Sequence, residues 1–220
     1  VMYEMIAKFT RLNYQGVLLD DNFEINLDGT LDEIKRTQPK LIFIAYPNNP
    51  TGNAFNRQSI HTIIKKSEAL VVVDEAYYAY AEDRFLNEVA NYPNLVLLRT
   101  ISNIGFAGLR LGLLIGSQDT IRELDKLRLP YNINSLTQAS ANFLLKEKDH
   151  IVASANIIID ERQRLFDELT AMSSLKVFPS QANFLLIKVN DAKSLFEFLK
   201  ANGILVKICA MNTQLSHCIR

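Results

Sequence analysis

Three polar groups stand at equivalent places in this chain, each directly after a short apolar run. Leu41–Ala45 runs into Tyr46-Pro47-Asn48-Asn49-Pro50-Thr51-Gly52, Leu70–Val73 into Asp74-Glu75-Ala76-Tyr77-Tyr78, and Leu95–Leu98 into Arg99-Thr100-Ile101-Ser102-Asn103. Their side chains suit different parts of one ligand. Asp74 is a carboxylate placed after four apolar residues, and burying it is costly unless a cation or donor compensates. A protonated heterocyclic nitrogen does so. Asn49 and Tyr77 offer hydrogen bonds to a phenolate-like oxygen. Thr100, Ser102 and Arg110 bring two hydroxyls and a guanidinium, which suit a phosphate dianion. Gly105 and Gly108 let the intervening backbone approach a ligand closely.

The elements that must position these groups are strands and helices in alternation. The three apolar runs, with Leu111–Ile115 as a fourth, read as buried strands. Between the first two lies a helix capped by Asn56 and running to about Glu68, with Ile60, Ile63 and Ile64 on one face. A loop and short helix precede Leu95, and a charged helix near Gln118–Leu129 follows the fourth strand. Strand–helix–strand order implies parallel pairing, with right-handed crossovers placing helices on both sides of the sheet. In such sheets ligands bind at the carboxyl edge of the strands, so all three polar groups converge there. A ligand with a pyridinium nitrogen, a ring oxygen and a phosphate is pyridoxal 5'-phosphate (PLP). Taken singly, each motif has a plainer reading. Pro-Asn-Asn-Pro-Thr-Gly is a good turn, Asp74-Glu75 suits a metal or a solvated strand end, and Arg110 suits a surface ion pair. Their joint occurrence, each after a strand, is what points to one site.

Beyond Pro130 the pattern changes. Helices are expected over Thr137–Lys146 and Ile151–Met172. A strand Phe184–Val189, a helix Ala192–Asn202 closed by Gly203, and a strand Ile204–Ile208 follow. The expected fold class is α/β, a mostly parallel sheet sandwiched by helices, with a smaller α+β C-terminal domain. The boundary falls near Asp149, giving domains 1–149 and 150–220. Both ends read as incomplete: Val1 opens inside an amphipathic helix (Tyr3, Ile6, Phe9), and Leu215–Arg220 carries no turn signal.

Composition removes several classes. The 220 residues are 48% hydrophobic and 22% charged, with 24 basic and 24 acidic residues. Zero net charge and the lack of a basic block argue against nucleic-acid or anionic-membrane partners. No apolar run is long enough to span a bilayer, and no leader pattern opens the chain. Cys209 and Cys218 lack metal spacing, and His61, His150 and His217 are scattered, so no metal site is expected. The cysteine usage fits a reducing cytoplasm.

As a set, these motifs resemble the fold-type I aminotransferases and, within them, the histidinol-phosphate aminotransferases. The resemblance rests on Asn49–Gly52 as Asn-Pro-Thr-Gly, Asp74–Tyr77 as Asp-x-Ala-Tyr, Arg99–Asn103, and Ala107-Gly108-Leu109-Arg110-Leu111-Gly112. It implies that Asn49 and Tyr77 bond the PLP ring oxygen and that Asp74 keeps the pyridine nitrogen protonated. It implies that Ser102 and Arg110, with Thr100 as a weaker candidate, hold the phosphate. On the substrate side it implies roles for Asn183, for Lys207 toward a substrate phosphate, and for Arg220 toward the substrate carboxylate. The implied reaction moves an amino group between histidinol phosphate and 2-oxoglutarate in histidine biosynthesis, in a homodimer.

Two departures stand out. The family's segment before Val1, which supplies part of the phosphate cradle and an aromatic on the cofactor ring, is missing. Asn103 stands where the family has the lysine that forms the Schiff base. A carboxamide is neither nucleophile nor base near neutrality, so the chain as written is expected to have very little transaminase activity. The alternatives are a non-catalytic binding protein of the same fold, or another aminotransferase or a decarboxylase of fold-type I.

Overall fold

The computed structural model describes residues 2–209 and 214–220; Val1, at the head of the expected first helix, lies outside the described residues. Helix α1 (Met2–Phe9) is amphipathic as expected, and α2 (Leu27–Thr37) follows, with Asn26 accepting from the Gly29 amide at its start. Helix α2 was not among the expected elements, although Leu27, Leu31 and Ile34 stand at helical spacing behind the Asn26 cap. Strand β1 (Leu41–Ala45), helix α3 (Arg57–Lys66) and strand β2 (Leu70–Asp74) form a parallel crossover. A short 3-10 turn leads to β3 (Leu95–Thr100), parallel to β2. Strand β4 (Gly112–Ile115) closes the sheet in the order β1-β2-β3-β4.

Strand β4 runs antiparallel to β3, with Thr100 opposite Gly112, against the parallel pairing expected of it. A parallel partner needs a crossover of about a dozen residues or more, usually helical. The stretch from Ile101 to Leu111 carries only two 3-10 turns, so the chain reverses beside its own strand. Burial on both faces also holds for the inner strands alone. Val71, Val72, Val73, Leu95, Val96 and Leu97 are buried, whereas Leu41 and Phe43 on β1 and Leu113 and Leu114 on β4 are exposed. The latter two strands are the outer ones, each with one neighbour.

Period-2 alternation sorts the sheet's side chains. One face carries Ile42, Ile44, Val71, Val73, Leu95, Leu97 and Ile115, in register across all four strands. It packs on Ile60, Ile63 and Ile64 of α3 and on Ile34 of α2. Each fully buried Ile contributes about 1.5–3 kcal/mol, so this layer is the main core. The other face carries Phe43, Val72 and Asp74, and α1 lies across it, with Tyr3 stacked on Phe43 at 4.6 Å between ring centres. The sheet therefore has helices on both sides.

Helices α4 (Gln118–Asp125), α5 (Ser135–Lys146) and α6 (Lys148–Thr170) lead to a second sheet. Strands β5 (Lys176–Phe178), β6 (Leu186–Lys188) and β7 (Cys218–Ile219) are antiparallel in that order, and α7 (Ala192–Ala201) packs against them. The expected strand over 204–208 is reduced to one bridge, Ile208 opposite Ile219. Its partner β7 is two residues long, so only the end of the run has anything to pair with. Phe23 crosses from the first part of the chain to pack with Leu186, Cys209 and Cys218. Among the described residues no helix is long and apolar enough to cross a membrane.

Candidate active site

The tips of β2 and β3 place their polar residues on opposite faces of the sheet. Asp74 and Thr100 point to the face that carries Phe43, because they continue the Val72 and Leu98 positions. Glu75 and Arg99 fall one residue out of phase and turn toward the core. There Glu75, only 1% exposed, meets Arg99 through Nη2 at 2.7 Å and Nε at 2.8 Å, and accepts the Phe85 amide at 2.5 Å. Arg99 also covers the Tyr78 ring at 4.6 Å. Glu75 is thus the inner half of a buried ion pair that staples the ends of two strands. The metal reading of Asp74-Glu75 is excluded by this geometry: the two carboxylates face opposite sides.

Asp74 is half-buried. Its Oδ1 accepts the Ala76 amide at 3.1 Å, and its Oδ2 accepts the Tyr3 hydroxyl at 2.5 Å. A carboxylate has about four lone-pair sites, so both oxygens retain capacity for a cation.

Asn49, in the turn after β1, is one of four residues from both parts of the chain joined in a ring of contacts. Arg220 Nη1 donates to Asn49 Oδ1 at 2.8 Å, and Asn49 Nδ2 donates to the Tyr77 hydroxyl oxygen at 3.0 Å. Tyr77 meets Phe184 edge-on at 5.2 Å, and Arg220 lies over the Phe184 ring at 4.7 Å, which closes the ring of contacts. Arginine only donates, so the Asn49 oxygen must face it and the Asn49 amide must face Tyr77. Tyr77 then accepts at its oxygen and keeps its own proton for another acceptor. That is the donor a ring oxygen anion requires.

The turn holding Asn49 is itself wedged between the two sheets. Gly52 has φ +81°, and a Cβ there would lie 2.5 Å from Ser180 Oγ. Its carbonyl accepts the Gln181 amide at 2.7 Å. Only glycine fits both demands.

Asn103 sits beside β2. Its Nδ2 donates to the Ala76 carbonyl at 2.9 Å, and its own carbonyl accepts the Tyr80 hydroxyl at 2.5 Å. Burial raises the Tyr80 phenol above its ordinary value, and a hydrogen bond with Asn183 offsets this in part. Asn103 and Asn183 therefore share Tyr80 as a neighbour.

The phosphate candidates are less closely joined. Thr100 Oγ1 accepts the Ser102 amide at 3.0 Å and faces the Leu111 carbonyl at 3.3 Å, so its hydroxyl serves the backbone. Arg110 is exposed, in the left-handed region at φ +52°, with Nη1 on the Ala107 carbonyl at 3.4 Å. Among the described residues no hydrogen bond joins Arg110 to Thr100 or Ser102. Gly105 is required by its φ of +103°, while nothing of the protein lies within 4 Å of a Cβ at Gly105 or Gly108. That side of the loop is open. Lys207 is exposed, and its backbone pairs in both directions with Arg220.

The donor set fits PLP at its ring. Asp74 offers a carboxylate for a ring N–H, and Tyr77 has a free donor for the ring oxygen. Sequence reasoning missed Tyr3, Phe184 and the Glu75–Arg99 pair. A signal existed only for the last: an arginine continuing an apolar strand toward a buried side demands a counter-charge. Tyr3 and Phe184 carried no signal beyond aromaticity.

The model of the aminotransferase class I and II family matches residues 1–218. The histidinol-phosphate aminotransferase of Vesicomyosocius okutanii is 62% identical over 220 residues, covering 100% of this chain and 62% of that protein. The enzyme of that name from Neisseria meningitidis (strain FAM18) is 45% identical over 221 residues, covering 100% and 60%. The chain thus spans about three-fifths of the length of these curated relatives. Among solved structures, the histidinol-phosphate aminotransferase of Clostridium acetobutylicum superimposes with a TM-score of 0.90 at 26% identity, over 99% of this chain and 68% of that one. The Sinorhizobium meliloti protein, solved with pyridoxal-5'-phosphate, gives 0.88 at 24% identity over 99% and 61%, a likeness of fold.

Proposed function

This chain belongs to the aminotransferase class I and II family, and we propose that it carries the cofactor and substrate groups of a PLP-dependent histidinol-phosphate transaminase. The observation that carries the reading is the closed ring Asn49–Tyr77–Phe184–Arg220, in which a cofactor-side pair and a substrate-side arginine meet. When bound, PLP supplies an electron sink beside the substrate's α-carbon. Asp74 holds the proton of the ring nitrogen. Tyr77, oriented by Asn49, donates to the ring oxygen. Ser102 and Arg110, with Thr100 holding the loop, take the phosphate. Arg220 takes the substrate carboxylate as a fork, and Asn183 and Lys207 line the substrate side. We read the chain as two units, 1–149 and 150–220, with Arg220 brought to Asn49 from the second. A cytoplasmic homodimer using 2-oxoglutarate belongs to the same reading.

Asn103 favours a second reading, a protein that binds PLP without turning it over. Its carboxamide donates to a backbone carbonyl and has no basic lone pair with which to move a proton. The test is an absorption spectrum with added PLP, before and after borohydride, in a polypeptide of the relatives' full length. We expect PLP to bind and to be released after borohydride treatment and unfolding. Asn103→Lys should gain a borohydride-fixed cofactor and raise amino transfer from histidinol phosphate at least about a hundredfold, the lower bound for a positioned acid–base group. Equal turnover in the two forms refutes the role given to position 103. Failure of either form to bind PLP refutes the cofactor reading.

A further inference from the structure

We propose that Tyr3 is a positioning residue for the cofactor site, its hydroxyl holding the Asp74 carboxylate in the orientation that meets the ring nitrogen. The inference rests on the reading of Asp74 as the partner of that nitrogen. Three observations lead to it. Asp74 and Phe43 lie on the same face of the sheet, because Phe43 pairs with Val72 and Ala45 with Asp74. Tyr3 reaches that face from α1 and stacks almost flat on Phe43, with 16° between the ring planes. From there its hydroxyl donates to Asp74 Oδ2 at 2.5 Å across 71 residues of sequence, while the Ala76 amide occupies Oδ1.

Two donors on two different oxygens leave the carboxylate no free rotation. The Ala76 amide comes from the same strand end and fixes one oxygen locally. Tyr3 fixes the other from a separate helix, so α1 and β2 together set the plane of the carboxylate. The donor is also constant. Burial, and then the Asp74 charge, push the Tyr3 phenol above its ordinary value, so it is a protonated, neutral donor around neutral pH. A neutral donor steadies the carboxylate without cancelling the charge a ring N–H requires. A half-buried carboxylate that lost this donor would have to be ordered when the cofactor binds, and that ordering would weaken binding.

The experiment measures the dissociation constant of PLP and the pH at which the absorption of the bound cofactor changes, in the intact protein. The variants are Tyr3→Phe, Asp74→Asn and the double replacement. Tyr3→Phe keeps the ring on Phe43 and removes only the hydroxyl. It should weaken PLP by about tenfold to a hundredfold, the scale of one hydrogen bond to a charged group, and move the spectral pH midpoint. In the Asp74→Asn background the same change should do nothing further, because the carboxylate it serves is gone. Wild-type affinity and midpoint in Tyr3→Phe overturn the inference, as does an equal loss with and without the Asp74 carboxylate. Should Tyr3→Phe lower the melting temperature, the spectral midpoint decides, since loose packing alone leaves it in place. If Asp74→Asn weakens PLP and Tyr3→Phe does not, Tyr3 alone is refuted. If Asp74→Asn leaves PLP binding unchanged, the cofactor reading itself fails.

Discussion

Replacing Arg99 with methionine should destabilise much of what positions the site, although Arg99 touches no ligand group. Glu75 would keep the Phe85 amide as a donor and lose the charge-assisted hydrogen bond from Arg99 Nε at 2.8 Å together with the Nη2 ion contact at 2.7 Å. Phe85 itself is 0% exposed, so the loop that satisfies Glu75 belongs to the main core. Breaking a buried ion pair from one side costs about 3–5 kcal/mol, because the remaining charge is stranded. Against a domain stability of about 5–15 kcal/mol, that is about a fifth of the total or more. With a urea slope of roughly 2–3 kcal/mol per molar for a chain of this size, the unfolding midpoint should fall by about 1–2 M. A companion variant isolates the mechanism. Glu75→Gln with Arg99→Met keeps an acceptor for Phe85 and strands no charge, so its midpoint should lie clearly above that of Arg99→Met alone. Arg164→Met on α6 is the control: its partners Glu161 and Glu168 are solvent-exposed, and its midpoint should not move. An Arg99→Met shift no larger than that of Arg164→Met refutes the argument that this pair staples the two strand ends.

Two further outcomes follow from the same contacts. Gly52→Ala should cost about 2–3 kcal/mol, from a left-handed backbone and a Cβ driven against Ser180; a urea midpoint equal to wild type would show that the turn relaxes freely. The phenols of Tyr3, Tyr46 and Tyr80 are all raised, chiefly by burial, whereas in the unfolded chain they ionise near about pH 10. The unfolded state therefore releases protons first, so the stability they contribute is complete below about pH 10 and is lost as pH rises above it. The urea midpoint should fall on that alkaline limb, less steeply in Tyr3→Phe, and a limb as steep in Tyr3→Phe as in wild type would refute the assignment for Tyr3.

Read alone, the sequence determined the local features. Apolar runs of four or five residues marked β1, β2 and β3, and an asparagine followed by isoleucines at helical spacing marked α3. Strand ends carried the polar motifs, and the alternation of strands with helices implied the mostly parallel sheet. These properties depend on neighbours a few residues apart, where backbone periodicity and capping act. The tertiary structure alone decided which distant groups meet: Arg220 with Asn49, Tyr3 with Asp74, and Glu75 with Arg99. It also decided that β4 turns back, and that Asp74 and Glu75, adjacent in the chain, serve opposite faces of the sheet. The reason is physical: a strand's period of two assigns a side only once the register and the covering helices exist, and no local pattern carries that information.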